Sequence, residues 1–180
     1  ILYIWKKISE GNGIVYAFEP EASNFFALNR NVVLNSLTGK VIPYAIAFGD
    51  ANRIGSFHLS SLIPGSSMHS IDKEESEGRY YSAQHIQGVG IYSLNDFILE
   101  PDILFPNHIK IDVDGVEEQI VQHMDQILGD SRLRSIMVEI DEDISKGKIE
   151  RMLLNAGFEE RDKERWPGKN VVNVLFARTA

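Results

Sequence analysis

Three apolar runs in this 180-residue chain close on carboxylates. Val15-Tyr16-Ala17-Phe18 ends at Glu19, Ile109-Lys110-Ile111 ends at Asp112, and the run from Arg134 ends among Glu139, Asp141, Glu142 and Asp143. Carboxylates accept hydrogen bonds from hydroxyls and take protons, so acids at such positions suit ligand binding or base chemistry. An apolar run that ends in acids and turns at once into a helical pattern is how a buried parallel strand delivers side chains to the carboxyl edge of an open α/β sheet, where such sheets bind ligands. Asp112 alternates with Ile111 and Val113 and so points away from them. The plain alternative is that Asp112 or Asp114 caps the helix that follows. Glu19 has the placement of the acid that accepts ribose hydroxyls in a nucleotide-binding unit, and equally that of a carboxylate favoured by a helix dipole.

The histidines, at positions 58, 69, 85, 108 and 123, form no i, i+4 pair and no zinc-type cluster, so no histidine metal site is expected. His69, in Gly65-Ser66-Ser67-Met68-His69-Ser70, is either a general base brought to a substrate by a loop or an exposed histidine without a role. The absence of cysteine excludes disulfides, thiolate metal sites and cysteine nucleophiles, and is compatible with a cytoplasmic location.

The elements that must position these groups are legible from periodicity. Ile1, Ile4, Trp5 and Ile8 have helical spacing and read as the tail of a helix. A strand at Val15–Phe18 leads into a helix over Ser23–Asn35, and a strand over Val41–Phe48 contains Pro43, which suggests an edge. Ile54–Leu59 reads as a small hairpin arm. Pro64–Gln84, rich in Ser, Gly and charge, reads as a mobile loop with few anchors. A short strand at Val89–Tyr92, a helix capped by Ser93, the strand before Asp112 and a helical pattern from Val116 to Ile127 follow. The run from Arg134 to Ile140 is another strand, its helix stops at Ala156-Gly157, and Phe158–Asp162 with Val171–Ala177 forms a closing antiparallel pair.

With 43% hydrophobic and 24% charged residues, the composition is that of a globular protein, long enough for one core and short for two. A formal charge of -8 argues against a general nucleic-acid binder. No apolar run approaches the ~20 residues of a membrane span, and Lys6-Lys7 follows the apolar start rather than preceding it as in a signal peptide.

Taken together, Val15-Tyr16-Ala17-Phe18-Glu19-Pro20 with Asn24, Ala45-Ile46-Ala47-Phe48-Gly49-Asp50, Ile109-Lys110-Ile111-Asp112-Val113-Asp114-Gly115-Val116-Glu117 and Val138-Glu139 resemble the FkbM family of S-adenosylmethionine-dependent methyltransferases. The resemblance covers nearly the whole chain in order, with Asp114 where the family usually has Glu. It implies a class I methyltransferase (Rossmann-like) doubly wound sheet, mostly parallel, with a C-terminal antiparallel pair. It also implies methyl transfer from S-adenosylmethionine to a hydroxyl of a small molecule, sugar or glycan. By position, Glu19 would hold the cofactor ribose with Asn24 nearby, the Ala47–Asp50 turn would flank adenine, and Asp112 would face the methionine end and the acceptor. The loop from Ser66 to Ser70 would cover the acceptor, and Asp112, Glu139 and His69 are the three candidates for the base. The family's first strand and glycine-rich turn have no counterpart here, so residues 1–180 are expected to form one N-terminally incomplete domain, with the Val15 and Ile109 strands either separated by a strand-wide gap or bridged by a segment from elsewhere. Two rival readings stand beside this one. Asp112-Val113-Asp114 also resembles the Asp-x-Asp metal site of glycosyltransferases, and a non-catalytic remnant would keep the sheet without the cofactor loop.

Overall fold

The computed structural model describes residues 11, 13–63, 65–66, 69–76, 79–113 and 115–179. The helix expected at Ile1–Ile8, the carboxylate of Asp114, and Ser67 and Met68 of the expected covering loop lie outside the described residues. The chain runs β1 (Val15–Phe18), α1 (Ala22–Leu34), β2 (Val41–Tyr44), β3 (Ile46–Phe48), β4 (Arg53–Leu59), β5 (Ser70–Ile71), β6 (Glu75–Ser76), β7 (Arg79–Tyr80) and β8 (His85–Tyr92). It continues through α2 (Leu94–Phe97), β9 (His108–Ile111), α3 (Glu117–Gln122), α4 (Asp125–Gly129), β10 (Ser135–Asp141), α5 (Glu142–Ser145), α6 (Lys148–Asn155), β11 (Glu159–Arg165) and β12 (Val171–Ala177). No described helix is long and apolar enough to cross a membrane.

The main sheet has the order β11-β12-β10-β9, with β9 parallel and β12 antiparallel to β10. Ile136, Val138 and Ile140 alternate with Ser135, Met137, Glu139 and Asp141 along β10 and are at most 1% exposed, sharing a core with Val172, Val174 and Phe176 of β12 and with Ile120, Val121, Ile149 and Leu153 of the covering helices. That core follows from burial of one face of a strand with period two.

β1 pairs with β2 in a separate parallel pair, and among the described residues β1 and β9 are not hydrogen-bonded to each other. The strand expected over Val41–Phe48 is two strands that change sheets at Ala45. β2 accompanies β1, and β3 runs parallel to β8 in a second four-stranded sheet, β3-β8-β4-β5. Pro43 suits the open edge of β2. Val15 N and Glu19 N donate to Lys40 O and Tyr44 O, so the alternating ladder directs the odd-numbered residues of β2 away from β1, and the nitrogen that cannot donate lies on the open side. The second sheet makes the fold more antiparallel than expected: three pairings are parallel and five antiparallel among the described residues.

Two further expectations are corrected. The helical pattern from Val116 to Ile127 is two short helices, α3 and α4, parted at His123-Met124, where His123 Nδ1 bonds Gln119 O at 2.8 Å and Met124 is fully buried. The segment over Pro64–Gln84 does have anchors: Ser56 N donates to Asp72 Oδ1 (2.9 Å), Arg53 pairs with Asp72 (2.5 Å), and Tyr81 donates its hydroxyl to His58 O (2.7 Å). These tethers are polar and escape a reading based on apolar spacing.

Arg178 closes the main core. Its guanidinium donates to Leu133 O and Ala156 O, each at 3.1 Å, and to Leu128 O, and lies 4.3 Å from the Phe158 ring centroid. A cation at the C-terminal ends of α4 and α6 also meets their negative dipole ends. Arg178→Met, which keeps the stem and removes the fork, is expected to lower unfolding free energy by about 2–3 kcal/mol. Urea denaturation showing no loss would mean the fork carries no stability.

Candidate functional site

The β1–α1 turn is built from its own carboxylates. Glu19 N donates to Tyr44 O as the last rung beside β2, and Glu19 Oε1 accepts from Glu21 N at 2.8 Å. Glu21, 5% exposed, is the N-cap of α1: its carboxylate accepts from Ser23 N (2.9 Å), Asn24 N (2.6 Å) and the Ser23 hydroxyl (2.6 Å). The remaining first-turn donor, Ala22 N, bonds Gln87 Oε1 of β8 at 3.0 Å. The cap is therefore Glu21 and not Glu19, which is left to brace the turn. Sequence reading missed Glu21 because Glu is a weak N-cap by type and Ser23 two residues on is a strong one.

The sheet containing β4 and β8 forms an arm that rests on this turn. Asn24 Oδ1 accepts from Gly65 N at 2.7 Å, so Asn24 ties the arm to α1. His69 is 6% exposed, accepts from Ser60 N at Nδ1 (3.2 Å), and stands edge-on to Phe57 at 5.7 Å. His69 is thus held inside the arm beside the turn and is no exposed loop residue. Ala47, 7% exposed, belongs to the arm core with Phe57, Leu59, Val89 and Ile91. Two residues on, Gly49 N donates to Tyr92 O at 2.9 Å, and a Cβ on Gly49 would come within 2.9 Å of Ile91, so the turn before Asp50 requires glycine for close approach.

At the main sheet, the register Val138↔Ile111 places Glu139 and Asp112 one residue further along adjacent parallel strands. They share the face opposite the core. Asp112 is paired with Lys110 at 2.6 Å, both side chains about half exposed (44% and 46%). Glu139 Oε2 accepts from the Trp166 indole N–H at 3.1 Å, delivered from the β11–β12 turn. Glu117 Oε1 accepts from Val113 N (3.3 Å) and Gly115 N (3.4 Å), bracing the loop after β9.

Two adjoining cavities lie along these strand ends and share Gly115 and Ile144. The larger, about 440 Å³, is bounded by Gly49, Asp50, Arg53, Lys73, Val116 and Gln119, between the arm and α3. The smaller, about 80 Å³, is bounded by Glu117, Glu118, Glu139 and Asp141. A volume of 440 Å³ falls within the range of small-molecule sites. Of the sequence-derived candidates, Asp50 borders the first cavity and Glu139 the second. Glu19, Asn24, Ala47, His69 and Asp112 border neither.

Residues 2–160 match the family model described as the methyltransferase FkbM domain. The chain belongs to the FkbM methyltransferase family. "Methyltransferase 1" of Beauveria bassiana (strain ARSEF 2860) is 26% identical over 135 residues, which are 69% of this chain and 53% of the relative. The chain therefore spans about half the length of that curated protein. The crystal structure of the methyltransferase FkbM from Methylobacillus flagellatus KT superimposes with a TM-score of 0.59 over 91% of this chain and 36% of that one, at 10% identity. That likeness is one of fold, and it agrees with the class I methyltransferase architecture.

Burial alone would raise the Glu21 carboxyl, but the Ser23 hydroxyl, the Ser23 and Asn24 amides and the nearby His69 outweigh it and hold it below its ordinary 4.5. A depressed folded-state pKa stabilises above the unfolded value and loses that contribution as pH falls through the folded one. Glu21→Ala is expected to cost about 0.5–2 kcal/mol at pH 7. The difference from wild type should shrink as pH drops below 4.5. Chemical denaturation at stepped pH checks this, and a gap independent of pH would remove Glu21's charge from the cap.

Proposed function

We propose that the protein is an S-adenosylmethionine-dependent methyltransferase that methylates a hydroxyl oxygen on a small molecule or glycan. The observation that carries this reading is the groove at the strand ends, bounded at one end by the Gly49-Asp50 turn and at the other by Glu139, in a chain of the FkbM family.

The residues fit a nucleoside cofactor. Glu19 ends a strand, and its carboxylate accepts from the Glu21 backbone amide. The close approach at Gly49 keeps the adjoining turn narrow, and the cavity beside Asp50 is of small-molecule size. In this reading Glu19 accepts the ribose hydroxyls, and Asp50 lies at the adenine end. When bound, the cofactor supplies a methyl group carried on positively charged sulfur. Asp112 and Glu139, side by side on the face of the main sheet away from the core, would be placed to take the proton that the acceptor hydroxyl gives up on methylation. Glu139 borders the groove and is oriented by Trp166, which makes it the stronger base candidate. His69 lies buried within the arm, its Nδ1 accepting from Ser60 N, and borders neither cavity.

Calorimetry of the full-length protein with S-adenosylhomocysteine tests the reading. Binding is expected, and Glu19→Ala should weaken it about 10- to 100-fold, since a charged hydrogen bond to a ribose hydroxyl is worth about 1.5–3 kcal/mol. Unchanged affinity would remove Glu19 from the site. Thermal stabilisation by a nucleotide sugar with Mn²⁺, and none by S-adenosylhomocysteine, would favour the glycosyltransferase reading instead.

A further inference from the structure

Gln87 lies 67 residues from Pro20, yet its side-chain amide is fitted to the turn that carries Glu19. Its Nε2 donates to Pro20 O at 2.6 Å, and its Oε1 accepts from Ala22 N at 3.0 Å. The Pro20 carbonyl and the Glu21 N–H belong to one peptide unit, which is planar and rigid. That same Glu21 N–H donates to Glu19 Oε1 at 2.8 Å. The bonds therefore form a single chain: the Gln87 amide N–H to the Pro20 carbonyl, through the peptide plane, and from the Glu21 N–H to the Glu19 carboxylate. Donation to a peptide oxygen polarises the N–H across the plane and strengthens the bond that it makes.

Alternative uses of Gln87 are accounted for by the neighbouring bonds. Ser23 N and Asn24 N are satisfied by Glu21, so α1 needs Gln87 for only one of its first-turn donors, Ala22 N. Capping alone would require an acceptor. The donor half of the amide, spent on Pro20 O, serves the orientation of the Pro20–Glu21 peptide. An amide supplies a donor and an acceptor on neighbouring atoms without charge.

We propose that Gln87 is a positioning residue for the cofactor site: it fixes the peptide plane that aims the Glu19 carboxylate, and so couples the arm to cofactor binding. This rests on the reading of Glu19 as the ribose-binding acid. Coupling of this kind is reciprocal, so a ligand held by Glu19 should also steady the arm strand that carries Gln87.

Two variants separate this role from simple packing. Gln87→Met keeps the length and apolar stem without either polar atom, and Gln87→Glu keeps the acceptor for Ala22 N while placing a carboxylate against Pro20 O. In the ligand-free full-length protein, hydrogen exchange at the amides of Glu21 and Ala22 should quicken in Gln87→Met, and exchange unchanged from wild type would overturn the proposal. Both variants should bind S-adenosylhomocysteine about 5- to 30-fold more weakly, the loss of one or two neutral hydrogen bonds. Ligand-induced protection of β8 amides, present in wild type, should be lost in both. Wild-type affinity in Gln87→Glu would overturn the role of the donor bond. Failure of the wild type itself to bind S-adenosylhomocysteine would instead overturn the methyltransferase reading, and this assignment with it.

Discussion

Alternation along β10 is the constraint on which the site depends. Ile136, Val138 and Ile140 face Phe176, Val174 and Val172 on one side, and Ile136 and Val138 face Ile109 and Ile111 on the other. A slip of one residue would drive Met137, Glu139 and Asp141 into that core, and burying an unpaired carboxylate costs several kcal/mol. The isoleucines therefore decide where the acids go. Glu139 must face away from the core, and Asp112, one residue beyond Ile111, must share its face. Their adjacency is a by-product of apolar burial and needs no contact between the carboxylates themselves.

The second half of the site is joined to the first by a different kind of contact. Phe18, Tyr44, Phe48 and Phe97 pack ring on ring with centroids 4.7–5.6 Å apart, linking β1, β2, β3 and α2. Above that apolar seat, the arm meets the β1–α1 turn through polar bonds from Gly65 and Gln87. Aromatic packing holds the pieces together with little preference for exact register, whereas directional hydrogen bonds admit one arrangement. The division places orientation, rather than most of the stability, at the turn that carries Glu19.

What the sequence disclosed follows this same division. β1, β9, β10, the Ser93 cap, the helix stop at Gly157 and the closing hairpin all announce themselves through apolar period, a capping residue or a glycine with positive φ. The arm showed its strands at Ile54–Leu59 and Val89–Tyr92 but not its anchoring, because Asp72, Tyr81, Asn24 and Gln87 hold it through side-chain bonds to groups 16 to 67 residues away, which leave no local pattern. The sheet change at Ala45 was half visible: Pro43 marked an edge, but nothing local says that the chain then joins another sheet. The partner of Asp112 was readable, since Lys110 lies two residues earlier on the same side of the strand. Trp166 was not, because its reach to Glu139 depends on the register of β12 on β10.

The C-terminal hairpin shows how an element that buries little can still matter to a site. Every residue of β11 is exposed, and all seven are charged, Glu159-Glu160-Arg161-Asp162-Lys163-Glu164-Arg165. Such a strand ends the sheet with a solvated edge that resists pairing with another chain. Its other consequence is positional. Pairing of Arg165 with Val172, and of Glu139 with Asn173, brings Trp166 to the level of Glu139. The Trp166 N–H to Val171 O bond at 3.0 Å then closes the turn. The indole donor is neutral, so it orients the carboxylate without cancelling its charge, whereas Lys110 neutralises Asp112 in an exposed pair worth at most about 1 kcal/mol. Of two acids set side by side by the same core, one is thus steered by a register and the other by a loose ion pair.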